Sequence, residues 1–97
     1  MIIRIVKMTF KPIKVEAFLE NFELVKHNIR GFAGCEKVLL LQDVANPAIY
    51  FTYSWWQSEA DLNNYRKSPL FKEVWSFTKS LFADKAEAWS LTEKARL

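Results

Sequence analysis

Few residues in this chain could do acid–base, nucleophilic or metal chemistry. There is one histidine, His27, and one cysteine, Cys35. A zinc site needs three or four His, Cys or carboxylate ligands, and a Ser/His/Asp triad would have to use His27. On an ideal helix that residue lies roughly 150° from the centre of its apolar stripe, so it faces solvent. Cys35 cannot form an internal disulfide and has no metal-type Cys/His spacing around it, so its expected state is a small buried thiol. Metal-dependent and hydrolytic readings are set aside. Aromatic side chains are plentiful instead, and "YSWWQSEADLNNYRKSPLF", residues 53–71, sets two tryptophans and a tyrosine among two helix-start signals.

Those residues are positioned by a short series of elements. "IIRIVKMTF" (2–10) is rich in β-branched residues and is broken by Pro12, which predicts a strand entering a helix. From Val15 the apolar residues Phe18, Leu19, Phe22, Val25 and Ile29 follow helical spacing, with Gly31 as the stop. "CEKVLLLQD" (35–43) and "AIYFTYSWW" (48–56) flank the turn "VANP" and predict a hairpin. Ser58, with Asp61 three residues on, starts a short helix. Ser68-Pro69 starts another, whose apolar positions run through Leu70, Phe71, Val74, Trp75, Phe77, Thr78 and Leu81. "KAEAWSL" (85–91) reads as the last strand. The order βαββαβ, its second helix broken in two, predicts an α+β ferredoxin-like sandwich with an antiparallel sheet.

Composition agrees with one ordinary globular domain: 97 residues, 51% apolar, 26% charged, net charge +3 with acids and bases interleaved. Residues 1–97 are read as a single domain, the core ending near residue 91 before a short basic tail, "TEKARL". No run of about 18 uncharged apolar residues could span a membrane. "MIIRIV" lacks the cationic start and apolar core of a signal peptide, so the cytoplasm is the expected location.

The sheet carries a further implication. In the third predicted strand Ile49, Phe51, Tyr53 and Trp55 share one face, while Ala48, Tyr50, Thr52, Ser54 and Trp56 share the other. Helices cover only one face in this topology, and an open row of Phe, Tyr and Trp marks an interface. A second copy about a two-fold axis is the simplest cover, so a homodimer through the sheet face is expected. Trp55 then points to the partner and Trp56 to the helices.

From Trp56 to Phe71 the pattern W-x-S-x-A-x-L-x-x-Y-x-x-S-P-x-F resembles the signature of the antibiotic biosynthesis monooxygenase family. The likeness extends over residues 1 to about 91, through the first strand, the helix ending near Gly31 with Phe32 and Gly34, and the hairpin. It implies a dimeric α+β barrel with a pocket between sheet and helices in each subunit. Several family members oxygenate polycyclic phenols or quinols with no metal, flavin or haem, and a side branch degrades haem. The sequence departs from the family pattern at Tyr65 and Leu70, where histidines are usual, and at Ser54, where glutamate is frequent. Loss of both histidines removes the haem ligand and an obvious general base.

The resemblance implies an activity in outline: a cofactor-independent monooxygenase acting on a small aromatic or quinol-like molecule, with no cofactor. Such chemistry needs a dry, aromatic-walled pocket that favours the substrate anion. Tyr65 and Trp56 are the candidate catalytic residues, through the phenol O–H and the indole N–H. Phe71 and Trp75 are candidate walls, and Arg4, on the face of Val6, Met8 and Phe10, is a candidate for stabilising an anion. Each has a plainer alternative: Trp56 and Trp75 as core, and Arg4 reaching solvent or a carboxylate. Two rival functions stand beside the enzyme. One is a non-catalytic dimer binding a small apolar ligand. The other is RNA binding, which the missing glycine and basic residues of the third strand disfavour, so no nucleic-acid partner is expected.

Overall fold

The computed structural model describes residues 1–97. Strand β1, Ile2–Thr9, ends in a single 3-10 turn at Pro12–Lys14, where proline has no N–H to continue a ladder. Helix α1, Val15–Arg30, buries Phe18 and Ile29 and turns Leu24 outward. Its end is at Gly31, whose N–H donates to the His27 carbonyl at 2.9 Å. Gly31 itself keeps a right-handed φ of −81°, and the left-handed residue is Gly34, at φ 88°. His27 is exposed, as its angular position predicts.

Strands β2, Cys35–Gln42, and β3, Ile49–Trp56, form the expected hairpin, and β4, Glu87–Leu91, completes a sheet of order β2-β3-β1-β4 with every pairing antiparallel. Together with three α-helices this is the ferredoxin-like α+β architecture. A bulge between Cys35 and Lys37 sets Cys35 opposite Trp56 and Lys37 opposite Trp55. That extra residue lets Cys35 point inward and Lys37 outward although only one residue separates them. Lys37 Nζ then lies 4.9 Å from the Trp55 ring centroid.

Helix α2, Glu59–Lys67, begins where Ser58 Oγ accepts the Asp61 N–H at 3.1 Å. Helix α3, Pro69–Lys79, begins where Ser68 Oγ accepts the Phe71 N–H at 3.1 Å. Ser68 also closes α2, since its backbone N–H and its hydroxyl both donate to the Tyr65 carbonyl, at 2.9 and 2.6 Å. One buried serine therefore fixes the angle between the two helices that carry Tyr65 and Phe71.

Strands β1, β2 and β3 are each one residue shorter than the sequence reading, and two boundaries differ by two residues. Helix α3 stops at Lys79, leaving Leu81 buried in the following turn, and β4 starts at residue 87 rather than 85. The cause is the end of β1: Lys11 N–H donates to Leu81 O at 3.0 Å and Ala83 N–H to Thr9 O at 2.8 Å. These bonds, with the Phe10–Phe82 bridge, hold the segment in a turn before it can pair as a strand.

Buried side chains fall into two clusters on the helix-covered face. Met8, Phe10, Phe18, Tyr50 and Leu81 form one, and Cys35, Trp56 and Leu62 the other. The opposite face has no helix over it, and Trp89 and Leu91 there are 43% and 44% exposed. No helix is long and apolar enough to cross a membrane.

Candidate active site

Between the two clusters the sheet and helices do not meet, and a cavity of about 350 Å³ remains. That is near the lower end of the range, about 300 to 1,000 Å³, in which small-molecule pockets fall. Its floor is the inner face of the sheet, including Arg4 and Val6 of β1 and Thr52 and Ser54 of β3. Its roof comes from all three helices, through Phe22, Tyr65, Phe71 and Trp75 among others. Most of the lining is apolar, so it can desolvate a flat hydrophobic molecule.

The aromatic side chains form a connected wall. Trp56 and Tyr65 stack with centroids 4.9 Å apart, Tyr65 meets Phe71 edge-on at 5.2 Å, and Phe71 lies nearly parallel to Trp75 at 5.9 Å. Phe32 adds an edge contact to Tyr65 at 5.3 Å. Tyr65 is thus in contact with three aromatic rings, which hold it at the wall of the cavity it lines.

Burial raises the pKa of Tyr65 well above its ordinary 10.0, and the nearby Cys35 adds to that shift. The phenol therefore stays neutral at ordinary pH and keeps its proton, so it is suited to donating a hydrogen bond rather than to acting as a base. Burial also raises the Cys35 thiol, partly offset by a bond to the Lys37 carbonyl and by Arg30. That thiol is free and buried, as its sequence context predicts.

Arg4 is half-buried in the floor and donates from Nη1 to Ser90 Oγ at 3.0 Å. Its pKa is lowered, first by desolvation and then by the neighbouring Arg66. It has a hydroxyl rather than a carboxylate for a partner.

The structure brings Arg4, Tyr65, Phe71 and Trp75 together around the cavity, but not Trp56. The Trp56 side chain is fully buried behind Tyr65, and its indole N–H donates to Ser54 Oγ at 2.9 Å. The expectation that this N–H is a donor available to substrate is corrected here: Trp56 backs Tyr65 and orients Ser54. Two residues not singled out as site residues, Ser54 and Arg66, line the cavity. Ser54 was legible as a polar residue on the inward face of β3. Arg66 follows Tyr65 on a helix face that reads as solvated, and nothing in its local pattern distinguishes it.

No histidine, cysteine, aspartate or glutamate lines the cavity. No three of these residues anywhere in the chain are grouped so as to hold a metal ion.

Comparison with known proteins adds a family to this geometry. The family model described as antibiotic biosynthesis monooxygenase matches residues 1–75. The match takes in β1 through most of α3 and so includes every side chain of the aromatic wall. A conserved protein of Methanosarcina mazei Go1 is similar in structure, with a TM-score of 0.89 at 26% identity over 96% of this chain and 93% of that one. An antibiotic biosynthesis monooxygenase superposes with a TM-score of 0.91 at 15% identity, over 98% of this chain and 100% of its own. A Pseudomonas aeruginosa protein gives 0.84 at 20% identity, over 97% and 94%. Likeness at 15 to 20% identity speaks for the fold alone. A search of curated proteins gave no match.

Proposed function

The chain belongs to the antibiotic biosynthesis monooxygenase family, and from that premise we propose that it oxygenates a small, flat, electron-rich aromatic substrate of the quinol or anthrone type. Molecular oxygen is the co-substrate, and the substrate itself supplies the electrons. The proposal includes a single domain over residues 1–97, a homodimer through the open sheet face, and a cytoplasmic location.

One observation carries the reading: an apolar, aromatic-walled cavity that holds a guanidinium, Arg4, and a neutral phenol, Tyr65, at its wall. An electron-rich anion gives an electron to O₂ far more readily than its neutral parent. A site that stabilises the anion in a dry environment therefore lowers the barrier. Arg4 would lower the pKa of the bound substrate by charge, and Tyr65 would donate a hydrogen bond to the same anionic oxygen. Phe71 and Trp75 would hold the ring plane and keep water out. Trp56 would act by positioning Tyr65 and Ser54. For an anthrone the overall change converts a ring CH₂ to C=O: one oxygen atom of O₂ enters the carbonyl and the other leaves as water with both hydrogens.

The test is aerobic incubation with an anthrone, following O₂ uptake and quinone absorbance. Quinone forming faster than in buffer, and more slowly with Tyr65→Phe or Arg4→Gln, supports the reading. A rate equal to buffer removes it.

A second reading is a ligand-binding dimer without catalysis. The observation that favours it is the lack of any cavity-lining His, Asp or Glu to take the substrate proton, while Tyr65 is tuned away from that task. Binding of the anthrone without accelerated turnover would select this reading over the enzyme.

A further inference from the structure

Two guanidinium groups share the cavity, and no acid lines it with them. Arg4 stands in the floor and Arg66 belongs to the roof, while neither aspartate nor glutamate is present. The chain's two salt bridges, Lys26–Glu23 and Arg96–Glu93, involve neither residue. Guanidinium does not lose its proton in proteins, so the half-buried Arg4 and the solvent-exposed Arg66 border an apolar space with no carboxylate among its lining residues. Their proximity is evident in the influence of Arg66 on Arg4.

A hydroxyl completes this end of the cavity. An indole N–H can only donate, so in the 2.9 Å bond with Trp56 it is Ser54 Oγ that accepts. The Ser54 hydrogen is therefore left to donate elsewhere. Ser54 is the cross-strand partner of Arg4 and lines the same space. Arg4 is steadied by one bond to Ser90, which leaves its remaining N–H groups available. Arg4, Ser54 and Arg66 thus supply donors to the cavity, and apolar side chains, aliphatic and aromatic, form most of the remaining lining.

We propose that the molecule bound in this cavity is an aromatic carboxylate, its carboxylate held by Arg4 and Arg66 with the Ser54 hydroxyl and its ring against Phe71 and Trp75. The inference rests on the cavity being the substrate site and adds a fixed anionic substituent beside the ring oxygen that Arg4 and Tyr65 would stabilise, Arg4 having N–H groups for both. A carboxylate is planar with two acceptor oxygens, which matches the fork of a guanidinium, and desolvation strengthens that pairing. A neutral ligand of the same shape would fill the apolar part but leave the half-buried Arg4 without an anionic partner in a drier site than before. Phe71 and Trp75 stack on each other, inclined by 10°, and form one aromatic wall of the cavity against which a ring can pack.

Calorimetric titration of the whole chain at low salt, with 2-naphthoate and the neutral 2-naphthylmethanol as probes, tests this. Expected is binding of 2-naphthoate about tenfold or more tighter than the alcohol. That preference should be lost in Arg66→Gln, and in Ser54→Glu, which places a carboxylate opposite Arg4 in the sheet register. Retained binding of the alcohol in both variants shows that the cavity is intact. Equal affinity of the two probes for the unaltered chain overturns the carboxylate while leaving the cavity as a binding site. Binding of neither overturns both.

Discussion

The indole of Trp56 lies stacked on the phenol of Tyr65, with centroids 4.9 Å apart and planes inclined by 26°. One comes from the end of β3 and the other from the last turn of α2, so the stack ties the helix to the sheet at the edge of the cavity. Trp56 has 0% of its surface exposed, whereas Tyr65 keeps part of its ring toward the open space.

This division of labour predicts opposite responses to two small substitutions. Trp56→Phe removes buried ring volume and the N–H that Ser54 accepts, and should destabilise the fold by about 2 kcal/mol in urea unfolding. Tyr65→Phe keeps the ring and should change stability at neutral pH by less than about 1 kcal/mol, while slowing anthrone oxidation. Equal stability losses for the two would mean that Tyr65 is core and nothing more.

Alkaline pH offers a second handle on the same phenol. The pKa of Tyr65 is raised in the folded state, mainly by burial, above its ordinary 10.0. From pH 10.0 upward the unfolded chain holds fewer protons at this group than the folded one. Its contribution to stability is therefore complete below that pH and declines as pH rises toward the folded value. Cys35, raised from 9.0 by burial, acts in the same direction from a lower starting point. In a Cys35→Ala background, the denaturation midpoint should fall more steeply above about pH 10 with Tyr65 than with Tyr65→Phe. Parallel curves for the two would refute the buried, neutral phenol.

Gly34 marks the other side of this region. Its φ of 88° is unfavourable for any residue with a Cβ, and a Cβ there would overlap the side chain of Asp61 at the start of α2. Its carbonyl accepts the Gln57 N–H at 2.9 Å, which joins the approach to β2 to the exit from β3. Gly34→Ala should cost about 2 kcal/mol or more in thermal or urea unfolding, from left-handed strain and displacement of α2 together. Gly31→Ala, at a right-handed φ of −81°, should cost less than about 1 kcal/mol. The opposite ranking would contradict the geometry.

These local features differ in how much of them a sequence can express. The strands, the hairpin and both serine caps were legible because each depends on neighbours within a few residues: β-branched runs, a Pro at the first helical position, a Ser before it. The four wall aromatics were legible as aromatics, and Arg4 as a charge on an inward-facing strand position. The commitment of the Trp56 N–H to Ser54 was not, since adjacent inward side chains on a strand can meet or diverge depending on rotamer. Arg66 was missed for a different reason. Its place at the cavity depends on the angle between α2 and the sheet, which is set by Ser68, Gly34 and the stack on Trp56, not by the residues around it. The end of α3 was likewise decided at a distance, by hydrogen bonds from the end of β1.

The open face of the sheet gives the last prediction. Leu39, Tyr53, Ile5 and Trp89 stand in register across all four strands, and form one apolar row with no helix over it. Beside it run Lys37, Trp55, Ile3 and Leu91 on one flank and Leu41, Phe51 and the Lys7–Glu87 pair on the other. A two-fold rotation would set this row against its own copy, so that a single patch closes the assembly. The chain is therefore expected to have a dimeric mass by light scattering at micromolar concentration. Tyr53→Glu puts a charge at the centre of the row in each copy, so two buried carboxylates would have to face one another's apolar surroundings. That variant should shift to monomer, and its exposed face should bind an apolar dye that the unaltered chain excludes. A monomeric mass for the unaltered chain, or a dimer unmoved by Tyr53→Glu, would mean that this face is covered by something other than a second copy or stays open to water.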